Sequence, residues 1–177
     1  MRTALVLVLV SVLVSCTGDV PTAGDLRPGE IAAAKRTVAK NYVAPLSGGE
    51  EVPANDSRAR GLAKFQLSAD GESLSYKLIV ANIENVRMAH IHLAPAGQNG
   101  GIVVWLYPDG PPPQLIPGRT NGILAEGTIA ADDLTGSLAG QPLSALLDAM
   151  ATGGAYVNVH TDQFPPGEIR GQIKAGG

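Results

Sequence analysis

Three histidines make up the whole imidazole inventory of this 177-residue chain. They fall in two short segments patterned as β-strands, Ala89-His90-Ile91-His92-Leu93 and Tyr156-Val157-Asn158-Val159-His160. Side chains alternate between the two faces of a strand, so His90 and His92 share a face, as do Asn158 and His160. A Pro-Gly turn further on leads to Glu168-Ile169-Arg170-Gly171-Gln172, in which Glu168, Arg170 and Gln172 again share one face. An imidazole pair on one strand with a third from a neighbouring strand is a three-nitrogen donor set. Such a set suits a mononuclear copper or zinc ion and leaves a coordination position open. The same residues also fit a plainer role. Neutral imidazoles can bond to backbone carbonyls in the 97–101 and 162–166 loops, with Glu168 or Arg170 reaching His160 or the turn backbone. Asn158, Glu168 and Arg170 would then complete a buried polar network that fixes loop geometry. Residue types and spacing leave both readings open.

Core-building strands must carry these residues. Leu62-Ala63-Lys64-Phe65-Gln66-Leu67 alternates, Ala69-Asp70-Gly71-Glu72 turns, and Leu74, Tyr76, Leu78 and Val80 line one face of the next run, opposite Ser75 and Lys77. An Asp-Gly turn between alternating runs predicts a hairpin. Met88 to Leu93 and Ile102 to Tyr107, with the single tryptophan Trp105, read as two more strands. Pro108 to Gly122 holds Pro111-Pro112-Pro113 and is expected to lie outside regular sheet. Ile123 to Ala130 is expected to be a strand, and Asp132-Asp133 a turn or at most a weak calcium site. Pro142 to Met150 predicts a helix, because Leu143, Leu146, Leu147 and Met150 share one face behind an N-terminal proline. Ala155 to Thr161 and Glu168 to Lys174 close the series. Many short strands, frequent Gly/Pro turns and one helix predict an all-β fold, a single antiparallel sandwich or barrel. A domain over 41–174 is large enough for a core of its own.

Several chemistries find no support. No G-x-S-x-G elbow marks a hydrolase serine. Gly97-Gln98-Asn99-Gly100 lies between strands and opens no helix, so it is no phosphate cradle. Thirteen basic against sixteen acidic residues, without basic clusters, argue against nucleic acid and against electrostatic docking on anionic lipid.

The N-terminus points to a location. Arg2 precedes an almost wholly apolar run from Ala4 to Val14, shorter than the ~20 residues that span a bilayer. It reads as a secretory signal over residues 1–15. Leu13-Val14-Ser15-Cys16 resembles the bacterial lipobox, in which cleavage falls before a cysteine that takes a diacylglycerol. Cys16 is the chain's only cysteine, so lipidation there implies a fold without disulfides in an extracytoplasmic compartment. Residues 16–40 then read as the lipidated cysteine and a flexible tether. The expected membrane partner is the lipid itself. The expected place is the cell envelope: outer membrane or periplasm in a two-membrane cell, with Thr17 favouring the outer membrane, and otherwise the cell surface.

Taken in order, the segments resemble the CHRD domain, named from chordin. The resemblance opens at Tyr42-Val43-Ala44-Pro45-Leu46-Ser47-Gly48-Gly49-Glu50-Glu51-Val52-Pro53 and runs through Ala89-His90-Ile91-His92 with Pro95, Gly97 and Gly100. It continues with Asp133-Leu134-Thr135-Gly136 and ends at Tyr156 to Thr161 and Gly167 to Gln172. It departs at Leu93-Ala94, where the family pattern carries glycine nearby. It implies an extracytoplasmic β-domain that serves as a binding or structural module, its protein or glycan partner undefined. Chordin's own partners do not transfer to a bacterial-type lipoprotein, and no enzymatic activity is implied. A more distant resemblance, to Cu/Zn superoxide dismutase, matches His90 and His92 to its paired copper histidines, His160 to a later ligand and Arg170 to its anion-guiding arginine. It implies an immunoglobulin-like or dismutase-like Greek key. The missing further histidines and disulfide cysteines exclude a complete dismutase and leave a mononuclear site with redox or metal-carrier function.

Overall fold

A computed structural model describes residues 39–176; the lipobox-like segment and most of the expected tether lie outside the described residues. The described part forms eight strands and one α-helix: β1 (Asn41–Ser47), β2 (Arg60–Leu67), β3 (Leu74–Leu93), β4 (Gly101–Tyr107), β5 (Ile116–Ile129), α1 (Leu143–Ala151), β6 (Ala155–Thr161), β7 (Ile169–Gln172) and β8 (Lys174–Ala175). All pairings are antiparallel, in the order β2-β1-β7-β6-β3-β4, with β2 also paired to β3, so the sheet closes on itself. The C-terminal strands β6 and β7 thus fill the gap between β1 and β3. The all-β, barrel-like fold expected from the sequence is what forms. α1 packs on β6 and β8 and buries Leu143, Leu146, Leu147 and Met150, the four residues of its apolar face.

Two strands are longer than their local pattern suggested. The separate runs expected at 74–80 and 88–93 are one twenty-residue strand, β3. Asn82 and Asn85 adopt φ of 58° and 53°, and the ladder to β5 shifts register around them. Asparagine tolerates this left-handed conformation, so the strand bends through bulges without ending. Its first half pairs with β2 and β5, its second half with β4 and β6. Likewise β5 begins at Ile116, inside the proline-rich stretch expected to be irregular. Pro117 is tolerated because β5 pairs only with β3, and a residue without an N–H fits at such an edge.

The inner face of the barrel is apolar. Ala89, Ile91, Val157, Val159 and Ile169 belong to one buried cluster with Leu46, Leu78 and Leu146. The intervening residues of the same strands carry the polar layer. Every residue of β6 is nevertheless buried, because loops cover its polar face. Gly171 marks where β7 passes β1 most closely, since a Cβ there would lie 2.0 Å from the Pro45 carbonyl oxygen. Packing extends N-terminal to the expected boundary at 41: Ala39 touches the core, and the Lys40 carbonyl accepts from the Leu67 N–H at 2.7 Å.

Candidate metal centre

Strand register assembles the site. Across the β3–β6 ladder, Met88 faces His160, His90 faces Asn158 and His92 faces Tyr156. Asn158 in turn faces Arg170 on β7, and Tyr156 faces Gln172. On the other side of β3, Trp105 of β4 is the partner of His90. Directly paired residues project to the same side of a sheet, so these residues form one polar and aromatic layer on the outer face.

The three histidines converge. His90, His92 and His160 are all buried, and each offers a ring nitrogen within 4.8 Å of those of the other two. A trigonal ion with metal–nitrogen bonds near 2.0 Å needs nitrogens ~3.5 Å apart, so the set must draw in by up to about an ångström to hold one. Hydrogen bonds fix two of the tautomers. His92 Nδ1 lies 3.0 Å from the Gly100 carbonyl oxygen, and His160 Nδ1 lies 2.9 Å from that of Pro165. A carbonyl only accepts, so each Nδ1 carries the proton and each Nε2 keeps its lone pair. Both Nε2 atoms, and both nitrogens of His90, are buried without a protein partner. Burial pushes the His90 imidazole down to about 3 and that of His92 to about 4, and it lowers that of His160. All three are therefore neutral at neutral pH, the form that ligates metals. The donor set, tautomers and orphaned nitrogens fit a copper or zinc ion.

The surroundings hold the loops. Arg170 is 1% exposed, and its guanidinium donates to the carbonyls of Pro95 and Gln98 and to Asn99 Oδ1, at 3.4, 2.7 and 3.1 Å. Gln172 donates to the Ala94 and Gly153 carbonyls, anchoring the loop where the sequence departs from the glycine pattern. Glu168 accepts from the hydroxyls of Ser57 and Thr161, each at 2.7 Å. Arg170 therefore serves the turn backbone, one of its two expected roles, and Glu168 bonds to hydroxyls instead of the imidazole or turn backbone expected for it. The dismutase-like role of Arg170 fails, because a buried guanidinium bound to three loop oxygens is not presented to an incoming anion.

Three neighbours carried no site role in the sequence reading. Trp105, read from the sequence only as a strand residue, is half-buried and meets His90 edge to face at 4.3 Å. Tyr156 stacks on His92 and accepts the Gly100 N–H through its hydroxyl oxygen; its alternation with Asn158 and His160 was the available signal. Glu51 approaches Asn158, whose amide donates to Oε2 at 3.5 Å. Its carboxyl is pushed up to about 7 by burial, against the opposing pull of Arg170. Asp132 and Asp133 form a 3₁₀ turn in which Asp133 accepts from the Ala130 N–H.

The family model of the CHRD domain matches residues 42–173, most of the chain. The chain belongs to the CHRD family. Comparison with curated proteins and with solved structures gave no match. The match spans β1 through Ile173, so the histidine cluster and its loop clamps all lie within the CHRD domain.

Proposed function

We propose that this CHRD domain is a lipid-anchored, extracytoplasmic binding module whose ligand is a single copper or zinc ion held by His90, His92 and His160. One observation carries the reading: three neutral, buried imidazoles face one another with four ring nitrogens lacking partners. Unpaired buried polar groups cost roughly 1–3 kcal/mol each, and an ion would satisfy three of them together. Carbonyls on the far nitrogens of His92 and His160 supply the orientation that metal-ligating histidines receive from a hydrogen bond at the nitrogen facing away from the ion. The anchoring part of the proposal rests on Arg2, the apolar run and Cys16. A diacylglycerol there would hold the module to a membrane with ~0.8 kcal/mol per buried CH₂.

A second reading has its own support. His92, His160, Arg170 and Gln172 together pin the loops over the outer face, as a structural module presenting those loops to a protein or glycan would require. Calorimetric titration of the metal-stripped protein with copper(II) and with zinc(II), beside a His90→Ala/His92→Ala/His160→Ala variant, separates the two. Stoichiometric sub-micromolar binding that the variant loses supports the metal centre. No binding, with a lower melting temperature in the variant, would leave the histidines as loop pins. Labelling with a radioactive fatty acid, abolished by Cys16→Ser, tests the anchor.

A further inference from the structure

We propose that Met88 is a fourth, thioether ligand that makes the site selective for copper(I). The inference rests on the three-histidine reading above and deepens it. Met88 and His160 are direct partners in the β3–β6 register. Alternation places Met88 on the same face as His90 and His92, two and four residues further along β3. Met88 and His160 also line one cavity of about 320 Å³, together with Pro113 and Pro165. Met88 is half-buried in this wall, not packed into the barrel interior with Ala89 and Ile91.

Three imidazoles leave one position open on a four-coordinate ion. Met88 stands directly across the β3–β6 ladder from His160, and three rotatable side-chain bonds give its sulfur the reach to turn towards that position without backbone movement. Thioether sulfur is soft and favours copper(I), whereas zinc takes imidazole and water at little cost. The other donors that β3 and β6 present on this face are the imidazole nitrogens, the Asn158 amide and the Tyr156 hydroxyl, and none of them is a sulfur. The chain's one thiol, Cys16, falls outside the matched CHRD domain. The sulfur of Met88 is thus the feature of the site that distinguishes copper(I) from zinc.

The test uses the full chain in a Cys16→Ser background, so that no thiol competes for copper, with and without Met88→Leu. Copper(I) affinity is read anaerobically by competition with a chromogenic chelator, and zinc(II) affinity by calorimetry. X-ray absorption of the copper-loaded protein reports directly on a sulfur neighbour. The expected result is a tenfold or greater loss of copper(I) affinity in Met88→Leu, zinc affinity unchanged within twofold, and a sulfur shell present only with Met88. Leucine is close in volume, and an unchanged melting temperature confirms the fold; Met88→Gln repeats the comparison if it does not. Equal affinities in the two chains, a parallel loss of zinc, or a copper site without sulfur would overturn the assignment of Met88 and leave the histidine site standing. If the chain with Met88 binds neither metal, the histidine reading itself falls and this inference with it.

Discussion

The imidazole of His92 lies flat against the ring of Tyr156, with centroids 4.9 Å apart and planes 9° from parallel. The guanidinium carbon of Arg170 sits 3.4 Å from the centre of the same tyrosine ring. A candidate metal ligand is therefore tied, through one aromatic ring, to the arginine that clamps the loop over it.

This stack predicts a graded response. Tyr156→Phe keeps the ring and loses the acceptor of the Gly100 N–H, at a cost of about 1 kcal/mol. Arg170→Lys replaces a planar fork that reaches three oxygens with a single ammonium, and its cost is larger, about 2–4 kcal/mol. Urea denaturation of the two variants checks the order, and equal stabilities would contradict the clamp.

Glu51 predicts a loss of stability as pH rises from acid to neutral. Its folded pKa of about 7 lies above the ordinary 4.5, so the folded state holds this proton more tightly than the unfolded chain. Stability from this group is full below about 4.5 and declines as pH rises to about 7, by roughly 1–3 kcal/mol in all. The histidines act in the opposite sense. Their pKa values are depressed from 6.5, so their contribution is present above about 6.5 and is lost as pH falls towards 4 and 3. Glu51→Gln should flatten the decline between pH 5 and pH 8 and leave the acid limb in place. Chemical denaturation across that range measures both limbs.

Metal binding should be visible in the single tryptophan. Trp105 touches His90, so copper(II) at the histidines is expected to quench its fluorescence, and zinc(II) to leave most of it. Ligand in hundredfold excess over its dissociation constant should also stabilise the fold by about 2.7 kcal/mol. Both effects should vanish in His160→Ala. Quenching that survives this substitution would place copper elsewhere.

The N-terminal boundary makes a simpler prediction. A chain beginning at Thr37 keeps the Lys40–Leu67 hydrogen bond and the Ala39 contact, whereas one beginning at Asn41 loses both. The shorter chain should be about 1 kcal/mol less stable, and its melting temperature a few degrees lower. Equal melting temperatures would put the boundary at 41.

Alternation and turn chemistry are local, and they were legible in the residues alone. They predicted the β2–β3 hairpin at Asp70-Gly71, the buried face of α1, and that His90 and His92 share one face of their strand. The ordered segments from Tyr42 to Gln172 also pointed to the CHRD family. The length of β3 was not legible, because Asn82 and Asn85 look like a turn until the strands on either side hold them in a bulged ladder. The start of β5 was hidden in the same way, since Pro117 fits a strand here only because β5 pairs on one side alone, with β3. The site itself was decided by register. One residue of slip between β3 and β6 would turn His160 into the barrel and put Val159 beside Met88. The insertion of β6 and β7 between β1 and β3 fixed that register, and with it the meeting of His160 with His90 and His92. It also sent Arg170 to loop carbonyls and Glu168 to the hydroxyls of Ser57 and Thr161. Apart from the Thr161–Glu168 bond across the β6–β7 turn, these are contacts between residues far apart in the chain, and no local pattern of one strand encodes which partner the closed sheet brings opposite it.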